Sequence, residues 1–521
     1  MKKPFYITTP IYYVNDAPHI GHTYTTVAAD VLSRWARLRS IETFFLTGTD
    51  EHGGKILEAA KEKHKEPKDY CDEISGKYAQ AWEQMDISYD RFIRTTDPHH
   101  QLAVEKFISN LHSNGDIYKS KYEGLYCLQC EKFLSPGDLQ DNACPDHKTA
   151  PEKHCEENYF FKLSKYREQL VELISNKNHP KHFEILPEER RNEILGKLKL
   201  GLEDISISRE NLPWAIPMPF DRSQTIYVWI DALINYVSAI GYGNGPENTD
   251  TEEFTRAWPV DIHLLAKDIL WFHCVIWPAM LLANNLPLPK RVFAHGFFTI
   301  NGQKMSKTIG NIIKPAELVE IFGVDASRFL LLNAFPFGAD GDISIAAFKE
   351  KYNAHLANNI GNLVSRATNM ATKYYNGTLA KPSCWEPSVF DELKPMFLKY
   401  ENSMENLKLN EVLDSVIAVS SFANQYIDRQ APWNLAKTDT AKLQVVLYDS
   451  MMIVKYIAAL LSPFMPSAAE KIWKTLDEKD TIASTIQKMP AFMPLTGSAI
   501  TKPENLFPKM PIPTDEAGRH P

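Results

Sequence analysis

Ala294-His295-Gly296-Phe297-Phe298-Thr299-Ile300-Asn301-Gly302-Gln303-Lys304-Met305-Ser306-Lys307-Thr308-Ile309-Gly310-Asn311 is the stretch from which the rest of the chain can be read. A short apolar strand ends in an Asn-Gly turn, and Lys304 and Lys307 follow, three residues apart. Each ammonium is a compact positive charge on a flexible stem. Two of them on a glycine-flanked loop suit the task of holding a polyphosphate while its charge rearranges. A solvated surface loop has the same composition. A second stretch near the amino terminus bears on the choice.

There Phe5-Tyr6-Ile7-Thr8-Thr9 reads as a buried strand, broken by Pro10 and by Asn15-Asp16-Ala17-Pro18. His19-Ile20-Gly21-His22 then opens a helix. Its apolar stripe is Tyr24, Val27, Ala28, Val31, Leu32, Trp35 and Leu38, with Arg34, Arg37 and Arg39 expected to face outward. A strand, a loop and a helix start make an anion site, because free backbone N–H groups and the helix dipole point at the loop. His19 and His22 can donate to phosphate oxygens, and Gly21 lets a flat base approach the backbone. Two histidines capping a surface helix would look the same.

A chain of 521 residues exceeds one core and implies three or more domains. Hydrophobic residues at 44% and charged residues at 23% fit a globular protein. No apolar run of transmembrane length is apparent, and Met1-Lys2-Lys3-Pro4 runs directly into a strand, so a cytoplasmic protein with no membrane partner is expected. Seven unevenly spaced cysteines argue against a disulfide framework. A net charge of −8 argues against a general polyanion binder, so a nucleic-acid partner would need local basic patches.

The histidine and lysine motifs, in this order, resemble those of class I aminoacyl-tRNA synthetases. Thr8-Thr9-Pro10-Ile11-Tyr12-Tyr13-Val14-Asn15 and Phe45-Leu46-Thr47-Gly48-Thr49-Asp50-Glu51-His52-Gly53 resemble the methionyl-tRNA synthetase family in particular. The resemblance runs from Tyr6 to about residue 480. It implies an α/β Rossmann-like parallel sheet split by a zinc-knuckle insertion and followed by a helical anticodon-binding bundle. It also implies ATP with Mg2+ as substrate, L-methionine, and initiator and elongator tRNA(Met). His19, Gly21, His22, Gly296, Lys304, Ser306 and Lys307 would hold ATP, with His19, His22, Lys304 and Lys307 catalytic. Thr308 stands where the family usually has Ser; both carry a hydroxyl.

Thr43-Phe44-Phe45-Leu46 is a second strand ending at Gly48, and Asp50 follows at its carboxyl end, where open α/β sheets bind ligands. The resemblance implies that Asp50 meets the amino group of methionine; a cap on the following helix is the alternative. Residues 55–115 read as helical. Gln224 onward is a strand running into a helix that carries Trp229, Ala232 and Tyr236. A thioether is apolar, polarizable and a weak acceptor, so it needs aromatic walls and a hydroxyl donor, which Trp229 and Tyr236 could supply. Filling the core would use the same residues. The family's methionine pocket further implies Ile11, Tyr13, Asp268, Ile269 and His273. Ala266 stands where the family more often has Gly.

Cys127 and Cys130, then Cys144 and His147, are two pairs with two intervening residues each, separated by 13 residues. That spacing suits a closed tetrahedral structural zinc. His154-Cys155 is a second source of donors, and a cluster of reduced buried cysteines is the plain alternative. Residues 162–200 are locally basic (Lys181, Arg190, Arg191, Lys197, Lys199), as an RNA-facing patch or a solvated helix face would be.

From about residue 345 the strand signals stop, and Leu356, Ile360, Leu363, Val364, Ala367 and Met370 form a helix stripe. Asn362 and Arg366 lie four apart on its flank. By resemblance they and Trp433, after Ala431-Pro432, read the anticodon. A Trp buried at a helix start is the alternative. Residues 451–461 and 468–476 complete the bundle. The expected domains are 1–116 and 224–292 (catalytic), 117–223 (insertion, knuckle 126–157), 293–348 (stem contact), 349–490 (anticodon) and 491–521 (strap). With no large segment after the strap, a monomer is expected. A cysteinyl enzyme, a non-catalytic tRNA-binding paralogue and a small nucleotidylyltransferase are the rival readings. The insertion is too small for the editing domain of the branched-aliphatic enzymes.

Overall fold

The computed structural model describes residues 3–127, 132–134, 139–145, 148–210, 212–300, 302–305, 311–383, 389–489, 491–497, 499–502 and 505–511. The chain falls into two compact units, one of Met1–Pro18, Thr43–Trp82 and Tyr89–His295, the other of His19–Glu42, Glu83–Ser88 and Gly296–Pro521.

The first unit is built on a six-stranded parallel sheet in the spatial order Arg91–Arg94, Thr43–Asp50, Phe5–Tyr13, Ile262–Ala266, Arg291–His295, Glu184–Leu186. Its central residues, including Tyr6, Ile7, Phe45, Leu46, Leu264 and Val292, are buried, as a sheet covered on both faces requires. The first strand does not stop at Pro10. It runs on to Tyr13, with a register shift against its neighbour between Thr8 and Ile11. On its other side, pairing with Ile262–Ala266 is confined to Ile7 and Thr8, so the missing N–H of Pro10 costs that ladder nothing. The expected helical run 55–115 also hides a strand, Arg91–Arg94, between the helices Pro67–Gln84 and Pro98–Ser113.

The insertion is an antiparallel sheet. Ile117–Cys127 pairs with Glu152–Phe161 along nearly its whole length, and Lys132–Leu134 and Ile205–Ser206 lie at the edges. The basic helix Glu188–Leu200 is largely neutralised by its own acids. Arg190 and Lys197 pair with Glu193, and Arg191 pairs with Glu188. This favours a solvated helix face over an RNA-facing patch.

The second unit holds the helix Ile20–Leu38, a short sheet (Phe298–Ile300, Gln303–Lys304, Gly341–Ile343) and the helices that follow. Its polar hub is Arg328, which is fully buried. The guanidinium donates to the carbonyls of Met85, Asp86, Pro463 and Phe464 and to Asp30 at 2.6 Å. Asp30 also accepts from Arg34 and twice from Ser88. A buried arginine is tolerated only when its donors are satisfied in this way. Burial opposes ionisation of Asp30, but Arg328 and Arg34 outweigh it and hold its carboxyl below the usual range. Arg34 and Arg37 therefore do not simply face outward: Arg34 binds Asp30, and Arg37 binds Ser88.

Leu356, Ile360, Leu363, Val364 and Ala367 are buried, as the stripe predicts, although the turns over Tyr352–Gly361 are wider than α-helical. The apolar helix read at residues 451–461 is longer than the sequence reading allowed. Thr440–Leu461 is a 22-residue helix containing an 18-residue window of mean hydropathy 1.5, long and apolar enough to cross a membrane by composition. Within the protein, 89% of that window is buried, which makes it the bundle's core helix.

Candidate functional site

In the second unit, His19 is the N-cap of Ile20–Leu38. The Gly21 N–H donates to His19 Nδ1 at 3.1 Å, and the His19 N–H donates to His22 Nδ1 at 3.2 Å. The two rings stack with centroids 3.9 Å apart. Because Nδ1 accepts in both rings, the neutral tautomer of each carries its proton on Nε2. Burial, and then the neighbouring His19, push the His22 imidazole well below its ordinary pKa, so it is neutral. Gly21 has no room for a side chain, since a Cβ there would lie 2.9 Å from the His19 ring.

The expectation of free N–H groups at this helix start is not met. Ile20 N–H is taken by Ile313 O at 3.1 Å, and the His22 and Thr23 N–H groups by His19 O. Of the two kinds of donor the sequence reading expected here, the Ile20, Gly21, His22 and Thr23 backbone N–H groups already have partners within the chain.

The lysine stretch is held close by. Phe298–Ile300 and Gln303–Lys304 pair antiparallel, with Gly302 at φ +73° in the turn. Asp342 pins the hairpin by accepting from Thr299 Oγ1 and from the Gly302 N–H, both at 2.7 Å. The Gly302 contact, then Thr299, holds the Asp342 carboxyl below its usual range. A Cβ on Gly21 would lie 3.5 Å from Met305 Cε, and beyond the loop Ile313 bonds to Ile20. Both described ends of the Lys-Met-Ser-Lys segment thus reach the amino end of the histidine helix. Ser306, Lys307 and Thr308, and the side chain of Lys304, lie outside what the structure describes. At Gly296 a Cβ would meet Ala339 O at 2.3 Å, so this glycine lets the chain pass the 339–341 turn.

In the first unit, Asp50 ends its strand, pairs in register with Tyr13 and is 6% exposed. It does not cap the next helix, Gly54–Glu62, whose N-cap is Gly53. The Tyr236 hydroxyl lies 2.7 Å from His273 Nε2, and His273 Nδ1 lies 3.0 Å from Ile269 O. Nδ1–H donates to that carbonyl, so Nε2 accepts the tyrosine proton. Burial pushes His273 down to about 4. His273 sits in a wider-turn segment, Phe272–Ile276, of the kind common at functional sites. Trp229 stacks on Phe272 at 4.2 Å. Ile11, Tyr13, Trp229 and Ile269 are partly buried against the core cluster that contains Tyr236, and Ala232 is buried. Asp268 lies exposed at the carboxyl end of the Ile262–Ala266 strand.

Sequence reasoning missed Phe272 and His263. His263 Nδ1 lies 2.7 Å from Thr8 Oγ1, and its ring lies 4.2 Å from that of Tyr236. It missed also the buried cluster of His52, His100 and Asp231. For His263 and Asp231 the available signal was a histidine or aspartate inside an otherwise apolar run, whereas His52 and His100 lie in polar stretches that gave none.

Cys127 and Cys144 are buried and pack into one small cluster with Leu134. The chain turns tightly after Cys144, with the Lys148 N–H donating to Cys144 O and the Cys144 N–H to Thr149 O. Cys130 and His147 lie outside the described residues, and no group of three metal-ligating side chains forms among the described ones. On the helical face, Arg366 donates to Asp428 at 2.6 Å and, more weakly, to Asn424, which also accepts from Asn362. Trp433 is 43% exposed while Pro432 beside it is buried, so the Trp is not a core residue.

Known proteins were compared with this chain. A family profile described as tRNA synthetases class I (M) matches residues 5–148 and 129–368, and one described as the anticodon binding domain of methionyl tRNA ligase matches 380–518. A methionine–tRNA ligase of Caldanaerobacter subterraneus subsp. tengcongensis is 45% identical over 517 residues, covering 98% of this chain and 80% of the relative. One from Clostridium perfringens is 45% identical over 518 residues, covering 98% and 79%. The solved structure of Mycobacterium tuberculosis methionyl-tRNA synthetase in complex with methionyl-adenylate superposes with a TM-score of 0.90 at 36% identity, covering 98% of this chain and 100% of the other.

Proposed function

This chain belongs to the methionyl-tRNA synthetases, and we propose how its residues carry out the activation of methionine by ATP and the charging of tRNA. The methionine carboxylate attacks the α-phosphorus of ATP. A C–O–P linkage forms, the Pα–O–Pβ bond breaks, and pyrophosphate leaves with the bonding pair. A hydroxyl of the terminal tRNA ribose then attacks the carbonyl, giving up its proton, and AMP departs.

His19 and His22 donate Nε2–H to phosphate oxygens from the helix start, and Lys304 and Lys307 approach from the loop. Gly296 and Ser306 belong to the same nucleotide site. Charge grows on the phosphates during transfer, so fixed donors that need no reorganisation lower the barrier. The observation that carries this assignment is the return of the chain to the helix start, through Met305 beside Gly21 and Ile313 bonded to Ile20.

In the other unit, Trp229, Tyr236 and His273 line the pocket for the thioether together with Ile11, Tyr13, Ala232 and Ile269. Asp50 pairs with the ammonium, and Asp268 lies at the pocket's polar end. A neutral His273 that accepts the Tyr236 proton keeps the thioether end of the pocket uncharged, which suits an apolar, polarizable side chain.

Mg2+ enters with ATP as part of the substrate. Zn2+ would be held by Cys127, Cys130, Cys144 and His147. The two described members are buried side by side, as structural ligands are, and the ion would cross-link the knuckle. Asn362, Arg366 and Trp433 read the anticodon of initiator and elongator tRNA(Met), Trp433 as an exposed stacking surface. The proposed domain limits are those read from the sequence, with the strand Glu184–Leu186 of the 117–223 segment returning to the parallel sheet. A monomer acting in the cytoplasm is part of the same proposal.

The test is pyrophosphate exchange into ATP against a panel of amino acids. Exchange dependent on methionine is expected; equal exchange with cysteine or leucine would overturn the pocket assignment.

A further inference from the structure

We propose that His52, His100 and Asp231 form a positioning relay that fixes the methionine pocket and sets the affinity for methionine. This inference rests on the pocket assigned above. Asp231 is 1% exposed, and each of its carboxylate oxygens is held by one imidazole: His52 Nδ1 at 2.7 Å on Oδ2 and His100 Nε2 at 2.6 Å on Oδ1. His100 Nδ1 continues to Ser238 Oγ at 2.7 Å.

The partners lie 131 to 179 residues apart in the chain, so each bond ties together separate elements. His52 follows two residues after Asp50. Asp231 lies between Trp229 and Ala232 on the helix Val228–Leu233, and Ser238 ends the helix Asn235–Ser238, which carries Tyr236. Through one carboxylate the relay joins His52, two residues beyond the ammonium partner, to both helices that wall the thioether.

The strand end that carries His52 is itself rigid. Glu51 is fully buried and takes two bonds from Arg94, at 2.6 and 2.9 Å, one from Thr49 and one from Thr96, while its carbonyl accepts from Trp214 Nε1. His52 carries that rigidity across to Asp231. Burial works against ionisation of Asp231, yet His52 and the bond from His100 outweigh it and hold the carboxyl at about 2, so the relay is ionic at its centre. None of the three touches the reacting atoms. They act by holding ligand-contacting groups in place, where small displacements are expensive.

The test uses the full chain in pyrophosphate exchange, with the KM for methionine, the KM for ATP and kcat measured separately. His52→Ala and Asp231→Asn should each raise the methionine KM about tenfold, the size expected for one buried hydrogen bond lost behind a binding group, with kcat and the ATP KM within about twofold. His52→Asn places an amide donor near the position of Nδ1 and should restore most of the affinity. Trp229→Ala and Tyr236→Phe serve as controls for the pocket. If they raise the methionine KM and His52→Ala does not, the relay is refuted while the pocket stands. If neither control moves it, the pocket assignment itself fails. A drop in melting temperature with unchanged methionine KM, or equal effects of His52→Ala and His52→Asn, would reduce the cluster to a structural role and overturn the proposal.

Discussion

Substitution of His22 separates two roles that the structure gives to one ring. Nδ1 closes the helix start by accepting the His19 N–H at 3.2 Å, and Nε2–H is the donor assigned to ATP. In His22→Asn the side-chain oxygen can replace Nδ1, but nothing reaches the position of Nε2. In His22→Gln the longer amide can reach that position and the cap is lost. Losing a fixed donor to developing charge costs roughly 3 kcal/mol, about a hundredfold in rate. Losing a cap costs about 1 kcal/mol of stability. His22→Asn should therefore form adenylate about a hundredfold more slowly in a single turnover and melt within a degree or so of the parent. His22→Gln should be the less stable and the faster of the two. The assay is rapid-quench formation of methionyl-adenylate with saturating ATP and methionine, paired with a thermal melt. Should His22→Asn react at the parent rate, or lose as much stability as His22→Ala, the division of labour between the two nitrogens is wrong.

Other outcomes follow from particular contacts. His273 is pushed by burial to about 4 from an ordinary 6.5, so below 6.5 the unfolded chain binds a proton that the folded chain refuses. Its contribution to stability is complete above pH 6.5 and is lost as the pH falls toward 4, by about 2 kcal/mol at pH 5. Urea midpoints at pH 7 and pH 5 should show this, and the difference should shrink in His273→Asn. Trp433→Ala should lower kcat/KM for tRNA charging about tenfold or more while leaving pyrophosphate exchange intact, as loss of a stacking surface does; a parallel loss of exchange would refute the assignment. Cys127→Ser should cost one bound zinc per chain by elemental analysis and expose the insertion to protease, without abolishing methionine-dependent exchange.

The histidine and lysine motifs stand out because each packs its residues into a short run, and the structure brings Met305 and Ile313 to the start of the histidine helix. What sequence could not show depends on partners far along the chain. Arg328 reads as an ordinary surface arginine until Asp30, 298 residues away, is seen to hold it. The cluster around Asp231 and the Trp229–Phe272 stack are of the same kind. Pro10 misled for another reason. A proline breaks a strand only where its N–H would be needed, and pairing on one side of it had already ended. Thr440–Leu461 shows the opposite limit, since apolar length alone does not distinguish a lipid-facing helix from one wrapped in protein.

The locked tautomers at the start of the Ile20–Leu38 helix also govern which anions this region draws toward itself. Apart from the fractional charge of the helix end, the neutral His22 imidazole exerts no pull beyond contact distance. Stray orthophosphate or a passing nucleic-acid backbone gains nothing by drifting near. A triphosphate gains only on seating, when its oxygens meet the Nε2–H groups. Ionic strength should then barely affect the histidine side of nucleotide capture and should act on the lysine side, so that substituting Lys307 flattens the salt dependence of the ATP KM and substituting His22 leaves its slope intact.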